Sequence, residues 1–441
     1  MNAFTVVTLG CKVNRYESEA ISEQLTDQGW HPADKGGKAN LCVVNTCTVT
    51  GKAAMQSRQA VRRLVRSQPG ALLVVTGCYA QVAPEVFASI PGVHYVVGHT
   101  FKDQIAGLAH PHNGCRFGDT LVEDLSAPRL FQDLPVRRFG NRTRPFVKIQ
   151  DGCDAFCTYC IIPRARGRSR SLSPDMVTQR IRRLQEAGYA EVVLCGIHIG
   201  RYGQDLIPGT SLAKLLRSLD RPHGIQRLRL SSIEPAELSE DLIGHMAISE
   251  RICPHLHIPL QSGDDEVLER MNRPYSSKFF RDLIHHVTRS IPDAAIGVDV
   301  LPGFPGETEK AFEKTCGLIE ELPIAYLHVF PFSSQKGTRA EGLGDHLSPE
   351  TIRKRCQHLR KIGQTKRQRF YEGHIGSTWK VLIEAKRDRA TGCLKGFTKN
   401  YIPVLVKGTD EWFHQVVEVK LERIDHGRVF GRYLSQGVGE T

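Results

Sequence analysis

The stretch that most constrains this chain is residues 151–167, D-G-C-D-A-F-C-T-Y-C-I-I-P-R-A-R-G. Within it, Cys153, Cys157 and Cys160 stand at the spacing C-x3-C-x2-C. Thiols this close can hold one metal cluster from a single loop, and iron–sulfur cubanes normally take four such ligands. A loop that supplies three leaves one metal position open to a substrate, as catalytic zinc sites do. The spacing therefore predicts a catalytic metal cluster.

Two other interpretations of these cysteines remain open. One is a structural zinc site with its fourth ligand elsewhere in the chain, and the other is a set of unconnected thiols. A zinc site of this kind usually has paired C-x2-C half-sites. The loop here is rich in arginine and follows an apolar run typical of a strand, which favours the cluster.

The stretch resembles the motif of radical S-adenosylmethionine (SAM) enzymes. The resemblance implies that Cys153, Cys157 and Cys160 hold an iron–sulfur cluster whose free iron is chelated by the methionine part of SAM. It also implies that Tyr159, the aromatic residue before the last cysteine, lies against the adenine of SAM.

Composition indicates an ordinary globular protein of several domains. The chain has 441 residues, of which 40% are hydrophobic and 24% charged, and this length suggests two to four domains at roughly 100 to 200 residues each. No apolar run approaches the roughly 18 residues that cross a bilayer. The first residues lack a basic region before an apolar core. We therefore expect a cytoplasmic protein without membrane association.

Cysteine usage and charge narrow the function further. Thirteen cysteines in a chain with no export signal argue against a disulfide framework and favour metal-binding or catalytic thiols. The formal charge of +12 indicates a polyanionic partner, because lysine and arginine neutralise phosphates. An ordinary solvated basic surface is the alternative.

The N-terminal third predicts an open parallel α/β sheet. Apolar runs at 4–9, 41–46 and 71–76 read as buried strands, and amphipathic runs at 15–28 and 52–67 read as the helices between them. Ligands of such sheets gather at the carboxyl ends of the strands.

Each of these strands is followed by a cysteine: Cys11, Cys47 and Cys78. Gly10 and Gly77 permit sharp turns just before two of the thiols, and Thr50 is a plausible helix cap. The pattern predicts a second metal cluster on three converging thiols. The alternative is that they are small buried apolar residues, as we expect for Cys42 inside a strand; Cys115 stays unassigned.

Residues 107–144 show little periodicity and read as a linker. Its basic end could contact phosphate or could be a solvated face, and the residues concerned are Arg137, Arg138, Arg142 and Arg144.

The middle of the chain predicts six βα units, an incomplete barrel. The strands are P-F-V-K-I-Q, E-V-V-L-C-G, R-L-R-L-S-S, H-L-H-I-P-L, A-A-I-G-V-D-V-L and Y-L-H-V-F-P-F-S. The helices are expected at 174–187, 211–219, 238–247, 264–289 and 308–321. Active sites of such barrels form at the carboxyl ends of the strands, and the C-x3-C-x2-C loop follows the first strand.

Other strand ends carry groups that suit SAM. Gly196 lies in a turn that resembles the glycine-containing turn of the family, and the remaining candidates are Ser232, Glu234, Gln261 and Gly303. Each could instead cap a helix or tighten a turn. His198, His255 and His257 are interpreted as core or supporting residues and not as metal ligands.

The C-terminal end changes to a period of two. After a basic helical stretch at 349–372, five short strands in about 65 residues predict a small barrel. It resembles a TRAM domain, which implies RNA binding; a packing module is the alternative.

Taken together, the three parts resemble the methylthiotransferase family. The motifs T-L-G-C-K-V-N-R-Y-E-S-E-A, V-V-N-T-C-T-V-T, T-G-C-Y-A-Q and G-I-H-I-G-R-Y-G are most similar to the branch that acts on N6-threonylcarbamoyladenosine in tRNA. The expected domains are 1–138, with the second cluster, 139–372, the radical SAM domain, and 373–441, the TRAM-like domain. One departure is Arg164, in I-I-P-R-A-R-G, where the family pattern has Tyr.

The resemblance implies methylthiolation at adenine C2, next to the anticodon, with two [4Fe-4S] clusters and SAM. The first cluster would cleave one SAM to a radical, the second would hold the sulfur, and another SAM would supply the methyl group. The implied partners are a tRNA anticodon stem-loop and an electron donor protein, with no DNA. The alternatives are a methylthiotransferase for isopentenyladenosine or for a ribosomal-protein aspartate, and a non-catalytic RNA-binding iron–sulfur protein.

Overall fold

A computed structural model describes residues 2–34, 36–109, 118–137, 139–140 and 142–434. Cys115 and Arg138, both named in the sequence analysis, lie outside these residues. Within the described part, no helix has the length and apolar character that crossing a membrane requires.

The chain begins with a six-stranded parallel sheet in the order β2-β1-β3-β4-β5-β6. Its strands are β1 (Ala3–Thr8), β2 (His31–Pro32), β3 (Leu41–Thr46), β4 (Leu72–Gly77), β5 (Tyr95–Val97) and β6 (Asp119–Leu121). Its helices are α1 (Lys12–Asp27), α2 (Gly51–Ser67), α3 (Cys78–Val82), α4 (Glu85–Ala88) and α5 (Ile105–Leu108). The open parallel sheet is as predicted. Strands β2, β5 and β6 were not predicted because two or three residues carry no readable period.

Two apolar layers cover the faces of this sheet. All of β3 is buried, and Cys42 of that strand is fully enclosed in one layer, as expected. The N-terminus of α2 is capped as predicted, because the Thr50 hydroxyl accepts a hydrogen bond from the backbone N–H of Ala53 at 3.1 Å.

The second part is an open barrel of six parallel strands. They are β7 (Phe146–Lys148), β10 (Glu191–Cys195), β11 (Arg227–Leu230), β12 (His255–His257), β13 (Ala295–Val300) and β14 (Tyr326–Val329). They pair as β11-β10-β7 and β12-β13-β14, and bridges between Leu228 and Ile252 and between Ser232 and His257 join the halves. The predicted incomplete barrel is confirmed.

Helices alternate with these strands, and those from residue 174 onward lie at the expected places. They are α6 (Ile162–Arg166), α7 (Pro174–Glu186), α8 (Leu212–Leu219), α9 (Glu240–Ile248), α10 (Asp265–Arg270), α11 (Ser277–Ser290) and α12 (Glu309–Glu321). A short antiparallel hairpin was also not predicted. It pairs β8 (Gln150–Asp151) with β9 (Arg170–Ser171) and encloses the C-x3-C-x2-C loop.

The chain ends in a helix and a closed five-stranded barrel. Helix α13 (Pro349–Glu372) spans the predicted residues. The barrel is ordered β15-β16-β17-β19-β18, with β15 (Thr378–Arg387), β16 (Leu394–Thr398), β17 (Pro403–Val406), β18 (Val416–Asp425) and β19 (Arg428–Tyr433). This confirms the predicted small all-β barrel.

The closed barrel docks on the amino ends of the open barrel's strands. Arg227 donates to the carbonyl oxygens of Phe397 and Lys380, and Arg229 donates to that of Lys399. Tyr401 lies 4.8 Å from the Arg229 guanidinium. The loops of the candidate active site lie at the opposite end of the open barrel, where its strands finish.

The basic end of the predicted linker is engaged within the protein. Arg137 forms ion pairs with Glu23 and Asp27 of α1. Arg144 pairs with Glu384 of β15 at 2.8 Å and lies over the ring of Phe397. Arg142 lies over the ring of Phe146 and 3.9 Å from Glu19. All three guanidinium groups thus have partners within the protein, and Arg137 is the most exposed of them.

Candidate active site

The loop between β8 and β9 carries Cys153, Cys157 and Cys160, here called the first triad. Gly152 opens it with φ of +74°, and a Cβ there would lie 1.9 Å from the carbonyl oxygen of Arg168, so only glycine fits. The backbone N–H of Cys153 donates to the carbonyl of Gly167 at 3.0 Å. The hairpin thus closes the loop at its base.

Barrel residues contact two thiols of the first triad. Cys153 Sγ lies 3.3 Å from Nδ1 of His198, and Arg273 donates to Cys157 Sγ at 3.3 Å. Burial raises the pKa of Cys157, while the charge of Arg273 opposes that rise. Burial alone would lower the pKa of His198, but its hydrogen bonds to Cys153 and Glu237 raise it to about 10. The charge of Arg273 thus favours a thiolate at Cys157.

The second triad is Cys11, Cys47 and Cys78, at the carboxyl ends of three adjacent strands. Cys11 precedes α1, Cys47 follows β3 and Cys78 begins α3. Cys47 and Cys78 are buried, while Cys11 is exposed. Because β1, β3 and β4 are neighbours in the sheet, the fold brings the three thiols to one edge.

Glycines permit this approach. A Cβ on Gly10 would lie 2.8 Å from Cys47 Sγ, and one on Gly77, whose φ is +97°, would lie 2.4 Å from the carbonyl oxygen of Thr46. The Asn14 amide holds the surrounding loops by donating to the carbonyls of Leu9 and Thr46 at 2.8 and 2.9 Å. The edge that carries the thiols is therefore fixed by packing on several sides.

A buried charge network joins the two triads; it consists of Glu17, Lys102, Lys148, Asp151 and Arg166. Arg166 is fully buried and donates to Glu17 at 2.8 Å and to Asp151 at 2.9 Å. Lys148 lies 3.4 Å from Glu17 and 3.2 Å from Asp151, and Lys102 pairs with Glu17. With Arg170, which lies 3.2 Å from Asp151 at the edge of this network, four cations face the two carboxylates, which leaves a net positive charge.

This positive charge acts on the second triad. Burial raises the pKa of Cys78, and the charge of Arg166 opposes the rise. Burial would lower the pKa of Arg166, but Cys78, Glu17 and Asp151 raise it well above its ordinary value. The sequence analysis missed this network. The run F-V-K-I-Q-D could have indicated it, because a lysine and an aspartate there interrupt an otherwise apolar strand.

A cleft of about 610 Å³ opens between the N-terminal sheet and the open barrel. From the sheet side it is lined by Gln81 and Val82 at the end of α3 and by residues 122–126. From the barrel side it is lined by Phe156, Cys157, Cys160, Pro163, Arg164, Gly167, Arg168, Gly337, Thr338 and Arg339. Its volume is in the range of small-molecule sites, and it lies against the first triad.

The candidate SAM-contacting residues lie at or near the carboxyl ends of barrel strands. Tyr159 packs edge-on to Phe304, with ring centroids 6.5 Å apart. Ser232 is exposed, and Glu234 pairs with Arg273, the residue that also contacts Cys157. Gln261 has a φ of +67°.

The two candidate glycines are explained by packing. A Cβ on Gly196 would meet the Gln150 carbonyl at 2.9 Å, and one on Gly303 would meet the Ile352 side chain at 2.5 Å. The backbone N–H of Gly303 donates to Glu307 at 2.7 Å. Both glycines permit close contacts within the protein.

The histidines named earlier separate into two groups. His198 contacts a thiol, as described. His255 is bonded to the Tyr326 hydroxyl at 2.8 Å, and His257 to Asp299 at 2.7 Å. Cys195 is fully buried in the barrel core.

The donor chemistry of both triads fits an iron–sulfur cluster. Each triad offers three thiols and leaves the fourth metal position to another ligand. Each also has a guanidinium beside a thiol, Arg273 at Cys157 and Arg166 near Cys78, which offsets thiolate charge. Burial without such cations would disfavour three thiolates in one place.

Two family models match the chain. Residues 3–98 match "Uncharacterized protein family UPF0004", and residues 147–319 match the radical SAM superfamily. The first range contains the second triad, and the second range contains the first triad.

The chain is also similar to curated proteins over nearly its whole length. It is 39% identical to "Threonylcarbamoyladenosine tRNA methylthiotransferase MtaB" of Bacillus subtilis, over 97% of this chain and 95% of that protein. It is 34% identical to the protein of the same name from Aquifex aeolicus, over 92% and 96%. With "tRNA-2-methylthio-N(6)-dimethylallyladenosine synthase" of Clostridium botulinum the identity is 31%, over 95% and 94%.

Solved structures share the fold. The radical SAM methyltransferase TsrM from Kitasatospora setae matches with a TM-score of 0.54 and 16% identity, over 75% of this chain and 73% of that chain. The cobalamin-dependent radical enzyme OxsB matches with a TM-score of 0.50 and 10% identity, over 82% and 57%.

Proposed function

Because this chain belongs to the radical SAM methylthiotransferase family, we propose that it replaces the C2 hydrogen of N6-threonylcarbamoyladenosine in tRNA by a methylthio group. The modified nucleoside is at position 37, next to the anticodon. The observation that carries this function is the contact between α3, which begins at Cys78, and α6, which follows Cys160. The end of α3 and the loop of the first triad line the same cleft, which supports a reaction that uses two neighbouring cluster sites.

The cofactors are two [4Fe-4S] clusters and SAM. We assign the cluster that binds SAM to the first triad and the auxiliary cluster to the second triad. Tyr159, Gly196, Ser232, Glu234, Gln261 and Gly303 are the proposed SAM-contacting residues. Their positions around the carboxyl ends of the barrel strands support this assignment, since barrel active sites form there.

Adenine C2–H is neither acidic nor activated, so its replacement needs radical chemistry, which a cluster held by the first triad would supply together with SAM. The protein supplies positioning and electrostatics. Arg273 and His198 hold two thiols of the first triad at fixed distances. The buried charge network fixes α6 against α1, so that the orientation of one cysteine site relative to the other is set before substrate binds.

The anticodon stem-loop is the proposed part of tRNA that enters the cleft. RNA-modifying and RNA-reading proteins favour unpaired bases that can be splayed into a pocket. The exposed face of α13 offers phosphate contacts from Arg353, Arg360, Lys361, Arg367 and Arg369, which position RNA without reading sequence. We propose that the closed barrel contributes to the same RNA contact.

We propose the domain limits 1–138, 139–372 and 373–441 for these roles. We also propose a protein electron donor, because forming each radical takes one electron. The tRNA substrate and the free cysteines are consistent with a cytoplasmic location.

The test is a reaction of anaerobically prepared protein with SAM, a reductant and defined tRNAs. Nucleoside mass spectrometry then reads which adenosine gains a methylthio group. The proposal expects a gain on tRNA with threonylcarbamoyladenosine. A gain on dimethylallyladenosine alone, or on ribosomal protein, would replace the proposed substrate by the one that reacted.

A further inference from the structure

Arg164 is a charged residue of the cleft for which the described residues provide no counter-ion. It belongs to α6, lines the cleft beside Cys160 and is exposed. Among the residues that the structure describes, its guanidinium has no hydrogen-bond or ion-pair partner. A guanidinium left free next to a reactive site is available to an anionic ligand.

The guanidinium of Arg164 lies against the backbone of Gly337. A Cβ on Gly337, whose φ is +82°, would lie 1.4 Å from Nη1 of Arg164. Any larger residue there would displace the arginine. The end of the arginine side chain therefore packs against the segment after β14, and both line the cleft.

Two other charged residues of the cleft form ion pairs, whereas the described residues provide no ion pair for the carboxylate of Asp124. Arg168 lies 3.3 Å from Asp154, and Glu123 pairs with Arg129 at 2.8 Å. Asp124 accepts hydrogen bonds from the backbone and side chain of Ser126. Arg339, on the same wall as Arg164, is the further cation without a partner among the described residues, and it adds to the positive charge of that wall.

The proposed substrate carries a matching group. A threonylcarbamoyl substituent on N6 ends in a free carboxylate, whereas a dimethylallyl substituent is apolar. Adenine C2 and the carbon that bears N6 are both bonded to N1, so the substituent starts close to the reacting carbon. A residue of the loop that holds the first cluster is therefore at a suitable place to meet it.

We propose that Arg164 is the specificity-determining residue that binds the carboxylate of the threonylcarbamoyl group. The inference rests on the proposed function and names the chemical feature that the cleft selects. A phosphate of the RNA backbone presents the same anionic oxygen chemistry, and the experiment distinguishes the two sources.

The experiment measures Kd for three anticodon stem-loops that differ only at the target adenosine. One carries the threonylcarbamoyl group, one its neutral carboxamide and one no substituent. The cluster-loaded protein is used with SAM and without reductant, so that no turnover occurs. We expect the wild type to bind the carboxylate form about tenfold more tightly than the carboxamide, because a charge-assisted hydrogen bond is lost.

The variant Arg164→Gln should bind the carboxylate and carboxamide forms equally, and Arg164→Lys should keep part of the difference. Arg221→Gln is the matched control, because Arg221 is an exposed arginine after α8, at the opposite end of the barrel. A loss of affinity by Arg164→Gln that is equal for all three RNAs would assign the residue to a phosphate and overturn the proposal. A wild type that does not distinguish acid from carboxamide would overturn it as well.

Failure of the proposed function has a different outcome. In that case the threonylcarbamoyl stem-loop gains no methylthio group under turnover conditions, whatever residue stands at position 164. If turnover occurs but the difference in Kd between the carboxylate and carboxamide stem-loops does not depend on the residue at position 164, only the present inference is wrong.

Discussion

The guanidinium of Arg166 lies 2.8 Å from the carboxylate of Glu17, although 149 residues separate them in the chain. Glu17 belongs to α1, which follows Cys11, and Arg166 ends α6, which follows Cys160. Both side chains are buried. This pair therefore joins the helix that follows Cys11 to the helix that follows Cys160.

Removing one member of this pair should destabilise the protein strongly. Arg166→Gln leaves the carboxylates of Glu17 and Asp151 buried with less compensation, which costs about 3 to 5 kcal/mol in comparable buried pairs. Denaturant titration measures the loss. The double variant Arg166→Gln with Glu17→Gln should lose less than the sum of the single variants, because both change one interaction.

Arg137→Gln is the control for this cycle. It breaks an interaction with the same helix, through Glu23, but at the exposed surface, where ion pairs contribute little. We expect a much smaller effect. Additive single variants, or an equal loss for Arg137→Gln, would contradict the role of the buried pair.

Gly77→Ala should disturb the second triad specifically. The new Cβ would lie 2.4 Å from the carbonyl oxygen of Thr46 and 2.5 Å from Asn45 Oδ1, so the turn that presents Cys78 has to move. Gly70→Ala is the matched control, since φ there is +88° but no atom lies within 4 Å of the added Cβ. Both variants carry the backbone cost of about 1 kcal/mol.

Iron and sulfide analysis separates the two glycine variants. Gly77→Ala should lose about half of the bound iron, that of one cluster, whereas Gly70→Ala should retain it. Full iron content in Gly77→Ala would show that Cys78 is not held by this turn.

Acid should weaken the junction between the two barrels through Glu191. Burial would raise the pKa of Glu191, but Arg229, Arg144 and Arg227 lower it below its ordinary value of 4.5. A carboxyl with a lowered folded-state pKa contributes stability above the unfolded value, and this contribution is lost as pH falls toward the folded value.

Glu191→Gln should therefore be less stable than the wild type at neutral pH, and the difference should narrow as pH falls below about 4.5. Thermal unfolding of both proteins across that range measures it. A difference that is constant with pH would mean that Glu191 is not charged in the folded protein.

The sequence alone predicted the helices and strands whose hydrophobic residues recur with a clear period. The apolar runs predicted the strands that place Cys11, Cys47 and Cys78 at one edge, and the alternating pattern after residue 372 predicted the closed barrel. Parallel strands and βα connections follow from local patterns and topological rules. The helix cap at Thr50 could be predicted for the same local reason.

Features that depend on distant partners could not be predicted. Arg166 lies in a basic segment, R-A-R-G-R-S-R, which indicates a solvated loop, and its burial is explained only by Glu17 and Asp151. The β8–β9 hairpin is made of polar pairs such as Gln150 and Ser171 that show no strand period. Arg144 likewise contacts the closed barrel because Glu384 of β15 lies opposite its guanidinium.

The most direct test of the two-cluster assignment is the iron content of anaerobic protein with either triad replaced by alanine. The wild type should bind about eight iron atoms, and each triple variant about four, the content of one [4Fe-4S] cluster. The variant Cys11→Ala, Cys47→Ala, Cys78→Ala should still cleave SAM to 5′-deoxyadenosine and make no methylthio product. If that variant retains eight irons, or still makes the methylthiolated nucleoside, the second triad does not hold the auxiliary cluster.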